Sequence, residues 1–326
     1  MAVCRGLSLT SGGLDSQLAI KVLQRAGAEV EAVCFSSPFF DMSGTERAAK
    51  TLGVALRVVD FTDDIVSLIK SPAHGFGGAM NPCIDCHALM IRRAGELMER
   101  LGYDFVATGE VQGQRPMSQN RQALGVVEKC SGLKGRLVRP LSAKLLEPTV
   151  PEIEGKLNRD MLLDISGRGR ERQIALAAEF GIADYPSPAG GCKLTEEGFA
   201  RKLKDLMDHE GLDDRALVEL LTRARRFRLP DGTGVVLGRD RRDNAALREF
   251  KLSGGCSFPL ELLSPVNVPG PTALIPEVKS EGDFALAKEL VCAYSRYDRL
   301  EGDVALNVGT VPRPYNREKF REWQIC

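Results

Sequence analysis

Apolar positions follow two alternating periods along the first part of the chain. Cys4 to Leu9 is a short apolar run ending in Thr10-Ser11-Gly12-Gly13, the pattern of a buried strand followed by a turn. From Asp15 to Ala26 the apolar residues Leu18, Ala19, Val22 and Leu23 share one helical face, and Gly27 stops that helix. Val30–Phe35 reads as a second strand, Ser43–Leu52 as a helix ended by Gly53, and Ala55–Asp60 as a third strand. This βαβαβ alternation predicts a parallel sheet covered by helices.

Residues 61–82 are mixed and contain Gly75-Phe76-Gly77-Gly78, the composition of a mobile loop. Cys86–Leu101 is expected to be helical up to Gly102, and Asp104–Thr108 a strand running into Gly109-Glu110. A later strand is expected near Leu137, with helices over Ile153–Leu163, Glu171–Phe180 and Phe199–Arg226. Beyond Phe227 the texture changes to short strands, prolines and basic clusters. The expected division is therefore 1–222 and 223–326.

The 326 residues suffice for two domains. No apolar run approaches the length of a membrane span, and no signal sequence opens the chain, so a cytoplasmic protein without a membrane partner is expected. Lys+Arg and Asp+Glu both number 44, so any nucleic-acid contact must rest on local patches. Between Arg223 and Lys251 nine Lys/Arg face four acids, a net +5. Nine cysteines are expected reduced in a cytosol, and the pair Cys83-Ile84-Asp85-Cys86 has the spacing of metal, cluster or redox chemistry. Cys4 and Cys34 lie in apolar strands and read as core; Cys130, Cys256, Cys292 and Cys326 have no partner spacing.

The candidate chemistry begins at Ser11-Gly12-Gly13-Leu14-Asp15-Ser16. A glycine turn between strand and helix directs backbone N–H groups at one point, a phosphate site. Gly12 and Gly13 allow close approach, and Ser11 and Ser16 can donate hydroxyls. Asp15 repels phosphate and makes sense if it holds Mg²⁺ against pyrophosphate. A plain capped turn would not call for all six residues. The hexapeptide resembles the signature of the PP-loop ATP pyrophosphatases and has no Walker lysine. The resemblance implies an adenine nucleotide alpha-hydrolase-like, Rossmann-like parallel α/β domain that binds ATP, splits it between the α and β phosphates and adenylates a carbonyl oxygen.

Asn81-Pro82-Cys83-Ile84-Asp85-Cys86-His87 and Pro188-Ala189-Gly190-Gly191-Cys192 resemble two elements of the tRNA 2-thiouridylases. These carry Asn-Pro-x-x-x-Cys-Asn in mid-domain and a second cysteine after a small turn. The resemblance implies that Cys86 and Cys192 are catalytic together with Asp15, and that Cys83, Cys86 and Cys192 ligate a [4Fe–4S] cluster with one open iron. A persulfide relay uses the same cysteines. Zinc is a third alternative, with His87 as fourth ligand.

The same resemblance puts Thr108-Gly109-Glu110 at the carboxyl edge of the sheet, where the family has Thr-Gly-His, so Gly109 is expected beside ATP. It puts Ser36 at the adenine and Arg139 near the phosphates. Gln114, Arg115, Ser118 and Gln119 fit either a phosphate or RNA contact or a solvated loop. Arg168, Arg170 and Arg172 fit either an RNA-facing surface or a salt-bridged helix. Val235-Val236-Leu237-Gly238-Arg239-Asp240 with Asp243-Asn244-Ala245-Ala246-Leu247 resembles the NFACT RNA-binding domain, implying a smaller α/β or α+β domain that holds RNA.

The expected function is an ATP-dependent uridine thiolase of the 2-thiouridylase or 4-thiouridine synthase type. It would act on tRNA with ATP, Mg²⁺ and a [4Fe–4S] cluster as cofactors, and sulfide or a cysteine desulfurase persulfide as sulfur donor. A sulfur transferase for a small molecule and a non-catalytic RNA-binding adaptor are the alternatives.

Overall fold

The computed structural model describes residues 3–187, 191–252 and 259–326. The chain divides into two compact units, residues 1–192 and 193–326.

In the first unit the elements run β1 (Cys4–Leu9), α1 (Leu14–Arg25), β2 (Ala28–Ser36), α2 (Thr45–Leu52), β3 (Leu56–Asp60), α3 (Thr62–Lys70), α4 (Cys83–Leu101), β4 (Phe105–Ala107), α5 (Arg121–Ser131), β5 (Leu137–Val138), α6 (Val150–Ile153) and α7 (Glu171–Glu179). The described strands form a parallel sheet in the order β3-β2-β1-β4-β5, as the alternation of periods requires. The strand order reverses between β1 and β4, which opens a crevice at their carboxyl ends. Leu14, Leu18 and Val22 of α1 pack with Ala32, Phe105, Val138 and Ile165 in one core. Gly102 adopts φ +67° at the end of α4, where the N–H groups of Gly102 and Tyr103 close on Glu99 O and Met98 O.

Three expectations are corrected here. The mixed stretch after Asp60 contains α3, whose Ile65, Val66 and Ile69 are buried; it is only nine residues long and Asp63 and Asp64 fill its first turn, so its periodicity is weak. The helix expected over 153–163 does not form. Gly155 takes φ +67° directly after α6, and Leu157 and Leu162 reach the core from a looped backbone. The glycine-rich loop is tied down: the His74 N–H and imidazole bond the two oxygens of Asp85 at 2.8 and 2.5 Å.

The second unit runs α8 (Glu197–His209), α9 (Arg215–Leu221), β6 (Arg225–Arg228), β7 (Gly234–Leu237), α10 (Arg241–Leu252), β8 (Glu261–Leu263), β9 (Ala273–Ile275), α11 (Glu281–Ala293), β10 (Val304–Leu306), β11 (Gly309–Val311) and β12 (Gln324–Ile325). The sheet of order β12-β6-β7-β9-β8 is antiparallel throughout, giving an α+β unit. The single helix expected over 199–226 is two helices and a strand, interrupted at Gly211 with φ +81°. The division falls at 192/193, ahead of the expected 222/223, because α8 belongs with the second unit.

Charge explains that grouping. Arg226, with no exposed surface, donates to Asp205 at 2.8 Å and Glu210 at 2.5 Å, and Arg228 donates to the same two acids. Two arginines of the basic segment are thus neutralised by the α8 region. Arg223, Arg239, Arg241, Arg242, Arg248 and Lys251 remain exposed. Gly238 and Asn244 of the NFACT-like stretch act as a joint. A Cβ at 238 would lie 2.2 Å from the Asn244 amide oxygen, which accepts from the Thr272 N–H at 2.9 Å.

Removing one partner from such a buried charge set costs about 3 kcal/mol, whereas exposed charges contribute within about 0.5 kcal/mol. Arg226→Met is therefore expected to lower the denaturant midpoint of the second unit strongly, and Arg241→Met to leave it in place. Equal midpoints for the two variants would contradict the assignment.

Candidate functional site

The turn between β1 and α1 is shaped by its own side chains. The Gly12 N–H donates to Thr10 Oγ1 at 3.3 Å, Thr10 Oγ1 donates to Ser16 Oγ at 3.2 Å, and Ser16 Oγ donates to Gly13 O at 2.8 Å. Gly12 has φ +75°, and a Cβ there would lie 2.9 Å from the backbone of Gly44, so the turn passes against the start of α2 only as glycine. Gln17 is buried and donates to Gly12 O at 2.8 Å and Asp184 O at 3.0 Å. Thr10 and Gln17 were not singled out from the sequence; their signal was their place flanking the hexapeptide. Ser11 is exposed at the turn, and the first N–H groups of α1 have no intrahelical acceptor, which leaves them for an anion.

Asp15 stands at this helix start. Its Oδ2 accepts from Gln114 Nε2 at 3.0 Å and lies 3.9 Å from a terminal nitrogen of Arg170, while its Oδ1 is buried with no hydrogen-bond partner. An unpartnered carboxylate oxygen beside a phosphate-type turn fits a hard cation such as Mg²⁺.

Gly109, at the carboxyl end of β4, faces the same turn. A Cβ on it would lie 2.7 Å from the Asp15 carbonyl carbon and the Ser16 nitrogen. Backbone thus meets backbone across the crevice. Ser36, at the carboxyl end of β2, donates its hydroxyl to Val59 O at 3.3 Å.

Glu110 follows Gly109 and is buried. It accepts from Thr108 Oγ1 at 3.0 Å, pairs with His87 Nδ1 at 3.0 Å and accepts from Arg139 Nε at 2.8 Å. Burial raises the Glu110 pKa, but the Arg139 guanidinium and His87 outweigh it and hold the carboxyl well below the usual carboxylate range. Arg139 also bonds Glu128 at 3.3 Å and Leu124 O at 3.1 Å. Its expected place at the phosphates is corrected: this arginine is buried as the counter-ion of Glu110. Of the neighbouring loop residues, Gln114 reaches Asp15, whereas Ser118 and Gln119 are buried.

The His87 contact brings the cysteine helix to this edge. Cys83 and Cys86 sit in the first turn of α4, with Asn81 Nδ2 donating to Cys83 Sγ at 3.1 Å. Cys86 is 7% exposed. Burial pushes its thiol well above the ordinary cysteine value, and the nearby Cys192 and Cys83 thiols and Asp85 add to the rise. Cys192 pairs in a β-bridge with Phe40, and Gly191 O accepts from the Asp41 N–H at 3.0 Å. The preceding Pro188, Ala189 and Gly190 lie outside the described residues, as does Cys256. Among the described residues no group of three His, Cys, Asp or Glu side chains is arranged to hold a metal ion.

The arginine run separates into unlike members: Arg168 is exposed, Arg172 pairs with Asp164 at 2.7 Å, and Arg170 is turned toward Asp15.

Residues 2–144 match the family model described as Thiamine biosynthesis protein (ThiI). The tRNA-specific 2-thiouridylase MnmA of Chloroflexus aggregans is 31% identical over 121 residues, 30% of this chain and 33% of the relative. The chain therefore spans about a third of that relative's length. A 4-thiouridine synthetase solved with RNA and ATP shares 20% identity at a TM-score of 0.39, covering 67% of this chain and 53% of that one. The NH3-dependent NAD synthetase of Campylobacter jejuni shares 14% at a TM-score of 0.33, covering 68% and 83% respectively. Among the described residues no helix is long and apolar enough to cross a membrane.

A methyl group at 109 has only backbone to displace, an overpacking that costs about 1–3 kcal/mol. Gly109→Ala is expected to lower the melting temperature of the first unit and weaken Mg·ATP binding by at least about ten-fold, read by calorimetric titration. Binding as tight as in the unsubstituted protein would show that β4 and the turn do not close on each other as described.

Proposed function

We propose, from the premise that residues 2–144 form a PP-loop domain of the tRNA thiouridine-synthase type, that the chain is an ATP-dependent sulfurtransferase acting on a uridine of tRNA. The observation that carries the reading is the His87–Glu110 contact. It ties the cysteine helix to the segment whose preceding residue, Gly109, packs on the nucleotide turn. Sulfur chemistry and ATP chemistry thus share one sheet edge.

The N–H groups at the start of α1, with Ser11 and Ser16 beside them, receive the phosphates, and Asp15 Oδ1 offers a position for Mg²⁺. Gly109 and Ser36 lie at the strand ends that would border the nucleotide. The uridine carbonyl oxygen attacks the α phosphorus. An O–P bond forms, the bond between the α phosphorus and its bridging oxygen breaks, and pyrophosphate leaves with the electron pair. A sulfur nucleophile then adds to the activated carbon, and AMP departs with the C–O electron pair. Adenylation has converted a poor leaving oxygen into a good one.

Cys83, Cys86 and Cys192 would supply that sulfur. Cys192 and Cys83 both lie near enough to Cys86 to add to the rise of its thiol pKa, and a three-thiol set suits a [4Fe–4S] cluster better than a four-ligand ion. Such a cluster, when bound, supplies one iron position without a protein ligand, open to sulfide. Its binding would require Cys86 as thiolate, and the proton that burial keeps on the thiol would be released to solvent. In the persulfide form of the same reading, Cys86 or Cys192 carries sulfur delivered by a cysteine desulfurase. The other thiol then breaks the S–S bond, and the resulting disulfide is reopened by a two-electron thiol reductant. The exposed cations Arg223, Arg239, Arg241, Arg242, Arg248 and Lys251 support an RNA-holding role for the second unit, as an NFACT-like domain would have.

Iron and acid-labile sulfide are to be measured after anaerobic purification of the unsubstituted protein and of Cys83→Ala, Cys86→Ala and Cys192→Ala. About four irons per chain are expected, lost in each variant. Iron-free anaerobic protein would overturn the cluster and leave the persulfide form.

A further inference from the structure

Arg170 occupies a position that neither packing nor its present partner explains. The segment carrying it is fixed. The Gly167 N–H donates to Gln112 O at 2.8 Å, Ser166 pairs with Gln112 in a parallel bridge, and a Cβ at Gly113 would lie 3.4 Å from the Gly167 nitrogen. Ser166 and Gly167, just before Arg170, are thereby fastened to the stretch that follows β4.

From this platform the Arg170 side chain, 19% exposed, reaches to 3.9 Å from Asp15 Oδ2. That separation is too long for a charge-assisted hydrogen bond, which closes at about 2.7–2.9 Å. Its Nε is buried and has no hydrogen-bond partner, and neither has Asp15 Oδ1. A buried donor and a buried acceptor left open are each costly to the fold, more so when charged. Folding alone gives no return for such an arrangement, whereas a ligand that is both anionic and metal-bound satisfies both groups at once. The neighbouring arginines differ: Arg139 is committed to Glu110 and Glu128, and Arg172 to Asp164.

We propose that Arg170 is a catalytic phosphate-binding residue, which turns from Asp15 to the β and γ phosphates when Mg·ATP occupies the turn. Asp15 would then hold Mg²⁺, and the freed planar fork of Arg170 would meet two phosphate oxygens. When the bond between the α phosphorus and its bridging oxygen breaks, the electron pair passes to the departing pyrophosphate. The Arg170 charge faces the oxygens on which that negative charge grows. This inference rests on the ATP reading given above.

The test is titration of the full chain, unsubstituted and as Arg170→Met and Arg170→Lys, with Mg·ATP, Mg·pyrophosphate and AMP, alongside thermal melts. Arg170→Met is expected to bind ATP and pyrophosphate about 10–100-fold more weakly and AMP unchanged; Arg170→Lys is expected to recover part of the loss. Undiminished pyrophosphate binding by Arg170→Met overturns the proposal. So does an equal loss of AMP binding, which would mark a purely structural role. Should the methionine variant unfold, Arg170→Lys decides: pyrophosphate binding weakened several-fold with AMP unchanged supports the assignment, and unsubstituted-level affinity overturns it. An unsubstituted protein that binds none of the three ligands overturns the ATP reading itself, and the inference with it.

Discussion

A buried carboxylate organises the edge of the first unit. Glu110 cannot remain charged in its setting without Arg139, and Arg139 cannot be buried without Glu110. Their pairing fixes the end of β4 against β5 and α5, since Arg139 also holds Glu128 and Leu124 O. The second oxygen of Glu110 holds His87 and so the first turn of the cysteine helix. Gly109, one residue before, can then lie against Asp15 and Ser16 with no side chain between. The glycine turn after β1 and the first turn of the cysteine helix are linked through this one ion pair.

Much of the first unit was legible in the sequence. Strands buried on both faces read as unbroken apolar runs, and helices ended at glycines whose left-handed φ is required, as at Gly53 and Gly102. Shorter elements escaped for physical reasons. In α3 the apolar residues are too few to establish a period, and near 155 a glycine ended a helix that the flanking leucines suggested. The hexapeptide was visible because its composition is unusual. Its supports Thr10 and Gln17 were not, since they act through hydrogen bonds to backbone that no periodicity encodes.

Charge was read least well, because a sequence shows charges without their partners. Arg139 looked available to phosphate and is a counter-ion, and Arg226 and Arg228 looked available to RNA and are bound to Asp205 and Glu210. Arg168, Arg170 and Arg172 looked alike and have separate surroundings. Two departures from the thiouridylase pattern, His at 87 and Glu at 110, touch each other: the imidazole comes from the helix and the carboxylate from the strand end. Neither position alone suggests the pair.

The central claim, ATP-dependent replacement of a uridine oxygen by sulfur, is tested most directly by mass spectrometry of nucleosides from thiouridine-free tRNA. The RNA is incubated anaerobically with the protein, Mg·ATP and sulfide, and the nucleotide products are measured in parallel. The account predicts a thiouridine formed in step with AMP and pyrophosphate, and none without ATP. Unmodified RNA, or cleavage of ATP to ADP and phosphate, would contradict it.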